Sequence, residues 1–357
     1  MQRMRTLAGI SILALVLAAC SSGTSDTAAE GNMEETSAAA LDDSNCAAAE
    51  NFCVGLVTDL GKVDDKSFNQ SAHEGAMAAA AEVGGFYKYI ETTDSKDYAA
   101  NMKQFTDKSY DVIVTVGFLM AEATAAAAKE NPNTKFIGVD QFQGEEVANL
   151  TGLIFPEDQA GYAAGYLAGM LTKSNKLGQV LGLEIPPVQK FAKGFEAGAK
   201  AANANVKVTT VYHPPADNGF ADPVWGAAEA KKQLSQGADI IFGAGGGTGN
   251  GALIEIAKAE GAGTSVFCIG VDTDQWGTVP EAQPCLVTSA MKGLVEGTTD
   301  LVKAAFDGSI KGGNFLGTTG LADYHDLASA VPADVQSKVA EVVAGLKDGS
   351  IKTGVTL

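Results

Sequence analysis

Short apolar runs alternate with segments of helical periodicity along most of this chain. The short runs are typical of buried strands, and the periodic segments are typical of amphipathic helices. The predicted strands are 54–57, 86–91, 110–117, 135–140, 149–155, 177–183, 206–212, 239–244, 265–272 and 285–289. The predicted helices are 68–81, 98–106, 121–129, 158–171, 188–202, 224–234, 253–260, 291–306 and 332–346. This alternation predicts an α/β protein whose parallel sheets carry helices on both faces.

The first strand and helix bring unusual side chains to one edge of the predicted sheet. Asp59 comes where the strand at 54–57 should end, and Ser67 is a candidate N-cap of the following helix. Phe68 and Asn69 would then lie beside Asp59 at the carboxyl end of the strand, where open α/β sheets bind their ligands. The alternative is that Phe68 packs as a hydrophobic staple and that its polar neighbours are solvated.

One pattern occurs twice in the chain. A β-α-β unit begins at Asp111 and ends in Ile-Gly-Val-Asp at Asp140, and a second begins at Asp239 and ends in the same tetrapeptide at Asp272. The offsets between the two units are 239 − 111 = 128 and 272 − 140 = 132 residues. We therefore predict two lobes of similar topology whose strand ends face each other across a cleft.

Residues at the predicted carboxyl ends of strands are candidates for that cleft. They are Asp59, Phe68, Asn69, Gly117, Phe118 and Asp140 in the first half, and Phe220, Gly245, Gly246, Gly247, Asp272 and Lys292 in the second. The two aromatic rings could stack on both faces of a flat ligand, and the carboxylates could accept hydrogen bonds from ring N–H groups or sugar hydroxyls. Taken singly, the aspartates could cap turns, Phe220 could be core and Lys292 could be solvated.

A glycine-rich run follows the strand at 239–244. Gly247, Gly249 and Ala252 fit the relaxed dinucleotide pattern G-x-G-x-x-A, with Asp272 about twenty residues on. The run follows the third strand of its half, however, and lacks the Gly-Lys-Ser/Thr of a phosphate loop, so we predict no nucleotide cofactor. Binding of an anion at this helix N-terminus stays an open alternative. Because no G-x-S-x-G or HExxH motif occurs, we predict a binding protein without cofactors rather than an enzyme.

Composition limits the class of partner. The 357 residues suffice for two domains, and a hydrophobic content of 46% excludes general disorder. A net charge of −18 argues against a nucleic-acid partner, which would favour a basic patch.

The N-terminus has the layout of a secretory signal. Arg3 and Arg5 precede an apolar run at 7–19 that is too short to span a bilayer. The run ends in Leu-Ala-Ala-Cys, which resembles a bacterial lipobox and predicts cleavage before Cys20 with lipid on its sulfur; the alternative is an ordinary signal peptide with an incidental cysteine. Residues 21–50 lack periodic apolar positions and are predicted to be a flexible linker. We therefore expect an exported protein that is anchored by this lipid to the extracytoplasmic face of the cell membrane.

Four cysteines remain after Cys20, and an exported protein can keep disulfides. Three connectivities are possible, of which the local pairs Cys46–Cys53 and Cys268–Cys285 are the simplest. The first pair would tie the linker to the first strand, and the second would join two neighbouring strands. Zinc is a weaker alternative, because no Cys-x-x-Cys occurs and no histidine has ligand spacing near these cysteines, so we predict no metal site.

Several motifs together resemble the basic membrane protein family, the lipid-anchored substrate-binding proteins of ABC transporters whose best-known members are purine-nucleoside receptors. The motifs are D-x-G-x-x-D-D-x-S-F-N-Q at 59–70, IGVDQ at 137–141, G-F-x-D-P at 219–223, the glycine-rich turn before Asn250, IGVDTDQ at 269–275, and the segment 289–293. The first motif is specific, and the others support it in order and spacing over about residues 52–357.

This resemblance implies the type I periplasmic-binding fold, two doubly wound α/β lobes joined by three crossovers near 155, 290 and 315. After the signal at 1–20 and the linker at 21–50, lobe 1 would comprise 51–155 and 291–314, and lobe 2 would comprise 156–290 and 315–357.

The resemblance also implies ligand-binding roles. Phe68 and Phe220 would sandwich a base, while Asp59 and Asp140 would accept hydrogen bonds from its N–H or amino groups. The remaining roles are the ribose side for Asp272 and Lys292, a backbone contact for Gly246, and a ligand contact for Asn69. The chain departs from the family pattern at Val224-Trp225-Gly226, where many relatives have a lysine-rich run, and at Cys268 and Cys285.

We accordingly predict a monomeric, lipid-anchored binding protein that closes two lobes over a nucleoside, with a purine nucleoside favoured, and delivers it to an ABC permease. One alternative is a binding protein for another small ligand, such as a sugar or a signalling molecule. The other is an enzyme that acts on nucleosides or nucleotides.

Overall fold

The computed structural model of the protein describes residues 42–357 as two lobes, each built on one six-stranded sheet. The predicted α/β architecture with two mostly parallel sheets is confirmed. The predicted signal segment, Cys20 and the first part of the predicted linker lie outside the described residues. Within 42–357, none of the helices combines the length and the apolar character needed to cross a membrane.

The strands follow one another in regular alternation with the helices. In chain order the strands are β1 (Cys53–Leu60), β2 (Phe86–Thr92), β3 (Val112–Val116), β4 (Lys135–Val139), β5 (Leu150–Ile154), β6 (Lys176–Leu181), β7 (Lys207–Tyr212), β8 (Ile240–Ala244), β9 (Phe267–Asp272), β10 (Leu286–Lys292), β11 (Gly313–Leu316) and β12 (Thr319–Leu321). The helices are α1 (Phe68–Glu82), α2 (Tyr98–Thr106), α3 (Ala121–Glu130), α4 (Glu157–Leu171), α5 (Pro186–Ala202), α6 (Pro223–Ser235), α7 (Gly246–Ile256), α8 (Gln275–Thr278), α9 (Leu294–Asp307) and α10 (Ala333–Asp348).

The two sheets have the same strand order. Lobe 1 has β11-β5-β4-β3-β1-β2 and lobe 2 has β12-β10-β9-β8-β6-β7, so the five strands that each half contributes correspond one to one. The sixth strand differs, because β11 runs parallel to β5 whereas β12 runs antiparallel to β10. The strand order reverses beside β1 in lobe 1 and beside β6 in lobe 2, and ligands of doubly wound sheets bind at such switch points.

The chain passes between the sheets three times, after β5, after β10 and after β11. Helix α9 packs on α1 in lobe 1, and α10 packs on α4 in lobe 2. The central strands β1, β3 and β8 are buried along their whole length, as expected of apolar runs covered on both faces.

Helices α4 and α5 pack with their backbones in contact. A Cβ on Gly165 would collide with the carbonyl oxygen of Phe195, and a Cβ on Gly198 would collide with that of Tyr162. The glycine spacing of α4 therefore serves a neighbouring helix of the same lobe. The sequence had suggested packing on a sheet or on the other half.

Among the element boundaries that differ from the prediction, two lie at the cleft. Helix α7 begins at Gly246, inside the run that the sequence indicated as a turn, because its glycines pack closely on neighbouring backbone: a Cβ on Gly249 would meet Gly243 at 3.1 Å. Strand β10 continues to Lys292, where a helix was predicted from Met291, because its end pairs with Thr319 of β12. Both outcomes depend on partners that are distant in sequence, which local propensity does not report.

The structure pairs Cys46 with Cys53 and Cys268 with Cys285. Residues 42–50, the last part of the predicted linker, form turns in which Cys46 is buried and Asp43 contacts two lysines of lobe 1, Lys88 and Lys108. This end of the segment is packed against lobe 1, which corrects the prediction of a flexible linker for these nine residues.

Candidate functional site

A pocket lies between the carboxyl ends of the strands and is lined by both lobes. It brings together all eight residues predicted to bind a ligand: Asp59, Phe68, Asn69, Asp140, Phe220, Gly246, Asp272 and Lys292. Seven more lining residues are not singled out by the sequence: Asp65, Ile185, Pro187, Val188, Phe191, Ala244 and Val271.

The lobe 1 wall is made by residues at the ends of β1, β3 and β4 and at the start of α1. Gly117 has φ 118°, and a side chain there would collide with the Asp59 carboxylate, so glycine is required both for the backbone and for the space. Asp140 has φ 60° at the end of β4, which turns its carboxyl into the cleft. The buried Oδ1 of Asn69 has no hydrogen-bond partner within residues 42–357, which leaves an acceptor at the pocket wall.

Asp65 caps helix α1 in place of the predicted Ser67. Its carboxylate accepts hydrogen bonds from the backbone N–H groups of Ser67 (2.9 Å), Asn69 (2.9 Å) and Gln70 (3.1 Å). The Ser67 side chain makes no cap bond, and its Oγ donates to Asp272 Oδ2 across the cleft at 2.8 Å. Asp65 belongs to the specific motif at 59–70, and an aspartate three residues before the first residue of a helix was the available signal for it.

The lobe 2 wall combines a glycine-rich turn with an apolar helix start. The Phe220 ring lies against Gly182, where a Cβ would collide with it. Ile185, Pro187, Val188 and Phe191 at the start of α5 add apolar surface. Their sequence shows only an amphipathic helix, so nothing in it separates a pocket wall from ordinary core packing.

Lys292 is the cation of the pocket wall, with a side chain only 1% exposed. Its Nζ lies 2.7 and 2.6 Å from the two carboxylate oxygens of Asp140 and 3.2 Å from Glu157 Oε1. The rings of Phe68, Phe155 and Phe191 surround it with centroids at 5.1, 5.0 and 5.6 Å. Burial opposes its charge, but Asp140, Glu157 and Asp272 together raise the pKa of Lys292.

Four carboxyl groups line the pocket, and burial is the largest cause of each shift. Burial raises the pKa of Asp59 to about 8, with Asp65 and Asp140 adding to the effect. Burial raises the pKa of Asp65 to about 6 against its three backbone hydrogen bonds, and that of Asp140 to about 7 against the pull of Lys292. The pKa of Asp272 is also raised by burial, opposed by Lys292 and Ser67.

The lobes touch through a loop at 65–67, which we call the interlobe loop. Asn250 Nδ2 donates to Asp65 O at 2.8 Å, and Thr278 Oγ1 donates to Lys66 O at 2.7 Å. With the Ser67–Asp272 bond, these contacts hold the start of α1 against lobe 2. The structure therefore shows the cleft in a closed arrangement.

The polar groups of the pocket are mainly acceptors, and its single lysine is already paired. Within residues 42–357, no group of three or more histidine, cysteine, aspartate or glutamate side chains is arranged to hold a metal ion. Such a pocket suits a flat ligand that offers N–H or O–H donors and carries no negative charge.

Residues 52–323 match the profile of the Bmp family, described as "ABC transporter substrate-binding protein PnrA-like". The chain is 34% identical over 323 residues to the "CD4+ T-cell-stimulating antigen" of Listeria monocytogenes, covering 85% of this chain and 88% of that protein. It is 34% identical over 241 residues to "Basic membrane protein A" of Borreliella burgdorferi, covering 67% and 68%. It is 33% identical over 227 residues to the "ABC transporter nucleoside-binding protein BmpA" of Lactococcus lactis subsp. cremoris, covering 62% and 63%.

Among solved structures, the chain resembles a solute-binding protein of an ABC transporter system from Aeropyrum pernix K1. The TM-score is 0.75 at 24% identity, with 84% of this chain and 92% of that chain covered. A solute-binding protein from Conexibacter woesei gives a TM-score of 0.63 at 23% identity, with 84% and 98% covered. These likenesses confirm the predicted two-lobed periplasmic-binding architecture.

Proposed function

The chain belongs to the Bmp family of PnrA-like ABC transporter substrate-binding proteins, and on that premise we propose that it binds a purine nucleoside between its lobes and delivers it to an ABC permease. The observation that carries this proposal is the joint placement of Phe68 and Phe220, one from each lobe, in a single pocket with the buried carboxyl groups of Asp59, Asp140 and Asp272 and the partly buried Asp65. The name of the Lactococcus lactis relative, a nucleoside-binding protein, supports the same ligand class.

The charge of the pocket favours a nucleoside over a nucleotide. Asp59, Asp65 and Asp272 face the pocket without a cation of their own among the lining residues, since the only lining lysine is bonded to Asp140. Ribose hydroxyls and base N–H groups can donate to the oxygens of these carboxyl groups, including Asp59, which is largely protonated at pH 7 with its pKa of about 8. A phosphate would meet no unpaired lysine among the lining residues and would be repelled by an ionised carboxylate such as Asp65, with its pKa of about 6.

In this proposal each residue keeps the role that its chemistry suits. Phe68 and Phe220 stack on the base, while Asp59, Asp140 and Asn69 hydrogen-bond to its edge. On the ribose side, Asp272 and Lys292 contact the hydroxyls and Gly246 offers backbone. Binding is closure of the two lobes without any bond being broken, so the protein is proposed to act as a receptor and not as an enzyme. We propose that it works as a monomer.

The proposed location follows from the N-terminal sequence. The lipobox-like segment before Cys20 supports cleavage at that residue and a lipid anchor in the cell membrane. We propose that the mature protein works at the extracytoplasmic face, next to its permease.

Calorimetric titration of protein lacking residues 1–20, after unfolding and refolding to remove carried-over ligand, tests the ligand class. We expect one-to-one binding of inosine, guanosine or adenosine, weaker binding of uridine, and no binding of ribose alone or inosine monophosphate. Silence toward every nucleoside from a folded protein would exclude the proposal and leave a sugar or signalling ligand. Turnover of a nucleoside during the titration would indicate the enzyme alternative.

Two variants test the aromatic sandwich. Phe68→Ala and Phe220→Ala should each weaken nucleoside binding by more than about ten-fold, because each removes one stacking face. Phe142→Ala is the matched control, since Phe142 is 68% exposed and does not line the pocket. Equal affinities of all three variants would contradict the sandwich.

A further inference from the structure

Glu157 lies behind the pocket, at the first residue of α4, where the chain crosses from lobe 1 to lobe 2. It is only 1% exposed and does not line the pocket. Its two carboxylate oxygens contact different cations: Oε1 lies 3.2 Å from Lys292 Nζ, and Oε2 lies 3.1 Å from Lys190 Nζ. The Lys190 side chain is 36% exposed, so Glu157 connects a buried lysine of the pocket to a lysine at the surface of lobe 2.

The four side chains form a row of alternating charge that ends in the pocket. The order is Lys190, Glu157, Lys292 and Asp140, and it joins α5, α4 and β10 of lobe 2 to the end of β4 in lobe 1. A buried carboxylate is costly even when paired, and apolar replacements of buried ion pairs are often as stable or more stable. Stability alone therefore does not account for a second carboxylate on Lys292.

Resting on the nucleoside-binding function proposed above, we propose that Glu157 is a positioning residue of the ligand site. It shares the Lys292 ammonium with Asp140, so that Asp140 does not hold the whole cation, and Lys190 keeps Glu157 in place from the outer side of the lobe. Glu157 thereby controls the pH range over which Asp140 can accept a hydrogen bond from a ligand.

The groups that face Asp140 fix the direction of this effect. They are Lys292 on β10, Glu157 on α4, Asp272 on β9 and Asp59 on β1. Burial raises the pKa of Asp140 to about 7, Lys292 lowers it, and Glu157 and Asp272 raise it. The ionised carboxylate accepts a hydrogen bond from a ligand N–H or O–H more strongly than the protonated carboxyl does, and protonation replaces one acceptor oxygen with a donor, so affinity should fall as the pH drops through the pKa of Asp140.

Two substitutions should move this pH dependence in opposite directions. Glu157→Gln removes a negative charge near Asp140, and Lys292 then pairs with Asp140 alone. The pKa of Asp140 should therefore fall, and the pH midpoint of ligand binding should move down by about one unit. Lys190→Met removes the outer cation and leaves Glu157 to Lys292, so the midpoint should rise. Glu196→Gln is the matched control, because Glu196 also lies on α5 but pairs with Lys200 at the surface.

The experiment measures inosine affinity of the four proteins by calorimetry between pH 5 and pH 9. The wild type and Glu196→Gln should share one midpoint, with Glu157→Gln below it and Lys190→Met above it. A loss of affinity in Glu157→Gln that is equal at every pH would show a merely structural role and overturn the proposal.

A second readout does not need a ligand. Carbon-detected NMR titration of the Asp140 carboxyl in the free protein should show a lower midpoint in Glu157→Gln than in the wild type. If the wild type binds no nucleoside, the proposed function fails and this titration still decides the role of Glu157. An unchanged Asp140 midpoint would overturn the role even if nucleosides bind.

Discussion

Ile137–Asp140 and Ile269–Asp272 are the same tetrapeptide at the same place in two lobes, but their aspartates have different partners. Both aspartates have positive φ, 60° and 66°, and both carboxyls face the cleft. Asp140 is bonded to the Lys292 ammonium, whereas Asp272 accepts a hydrogen bond from the Ser67 hydroxyl. The repeat thus places two similar acceptors, and the opposite lobe gives each a different chemistry.

The supporting residues behind the aspartates are alike. Gln141 folds back over Gly138, and Gln275 folds back over Gly270, in each case where a Cβ on the glycine would be. Gln141 Nε2 donates to Gly117 O at 3.0 Å, and Gln275 Oε1 accepts from Val271 N–H at 2.9 Å. The tetrapeptide and its glutamine are therefore one packing unit used twice, and the difference between the lobes lies in what faces the unit.

The largest expected effect is on the ionic partner of Asp140. Lys292→Met leaves Asp140 buried without its cation, so the free energy of unfolding should fall by about 3–5 kcal/mol at pH 8. A buried carboxyl without its cation has a folded-state pKa above its unfolded value, so the folded protein binds more protons, and the variant should be least stable at high pH and recover as the pH falls. Denaturant unfolding at pH 8 and pH 5 measures this.

Lys190→Met is the control for that prediction, because Lys190 also pairs with a buried carboxylate, that of Glu157, but is itself partly exposed to solvent. Lys190→Met should lower the free energy of unfolding at pH 8 clearly less than Lys292→Met does. Two results would contradict the claim that Asp140 depends on a buried ion pair with Lys292. One is an equal loss in the free energy of unfolding for both variants, and the other is a loss in Lys292→Met that grows as the pH falls toward 5.

The next effect tests what the lobes share. Gly138→Ala and Gly270→Ala each push a Cβ into a buried glutamine, and overpacking of this kind costs about 1–3 kcal/mol. Because the packing units are alike, the two losses in the free energy of unfolding should be similar. Gly320→Ala is the control, since a Cβ there has open space, and a large difference between Gly138→Ala and Gly270→Ala would break the equivalence of the two units.

The smallest effect concerns the partner of Asp272. Ser67→Ala removes one hydrogen bond between the lobes, about 1 kcal/mol, and should weaken nucleoside binding about five-fold because closure becomes less favourable. Ser71→Ala is the matched control, since Ser71 Oγ donates to Ser67 O within lobe 1. Small-angle X-ray scattering should show a more open arrangement of the two lobes in Ser67→Ala than in the wild type, and no such opening in Ser71→Ala. An equal opening in both variants would mean that helix α1 itself was disturbed.

Much of the fold was predictable, because its signals are local. Apolar runs bounded by polar turns predicted the ten longer strands, and the repeated Ile-Gly-Val-Asp predicted the two lobes, which the shared strand order bears out. The family prediction is confirmed as well. The short strands β11 and β12 were missed, because each is defined by pairing with a distant strand rather than by its own sequence.

The candidate site divides in the same way. Its eight predicted residues line one pocket because they stand at the carboxyl ends of strands or in the loops and helix starts that follow those ends, a position that periodicity indicates. Asp65, Phe191 and Glu157 were missed: the first looked like one more polar turn residue, the second like helix packing, and the third like an ordinary acidic residue at a helix start.

The sequence by itself therefore determined the alternation of elements, the two equivalent lobes and the acceptors at their rims. Only the tertiary structure decided which group meets each acceptor. Lys292 is 152 residues from Asp140, and Ser67 is 205 residues from Asp272. Partners this far apart leave no periodic trace in the chain, because they are brought together by the folding of two lobes against each other and not by the conformation of any one segment.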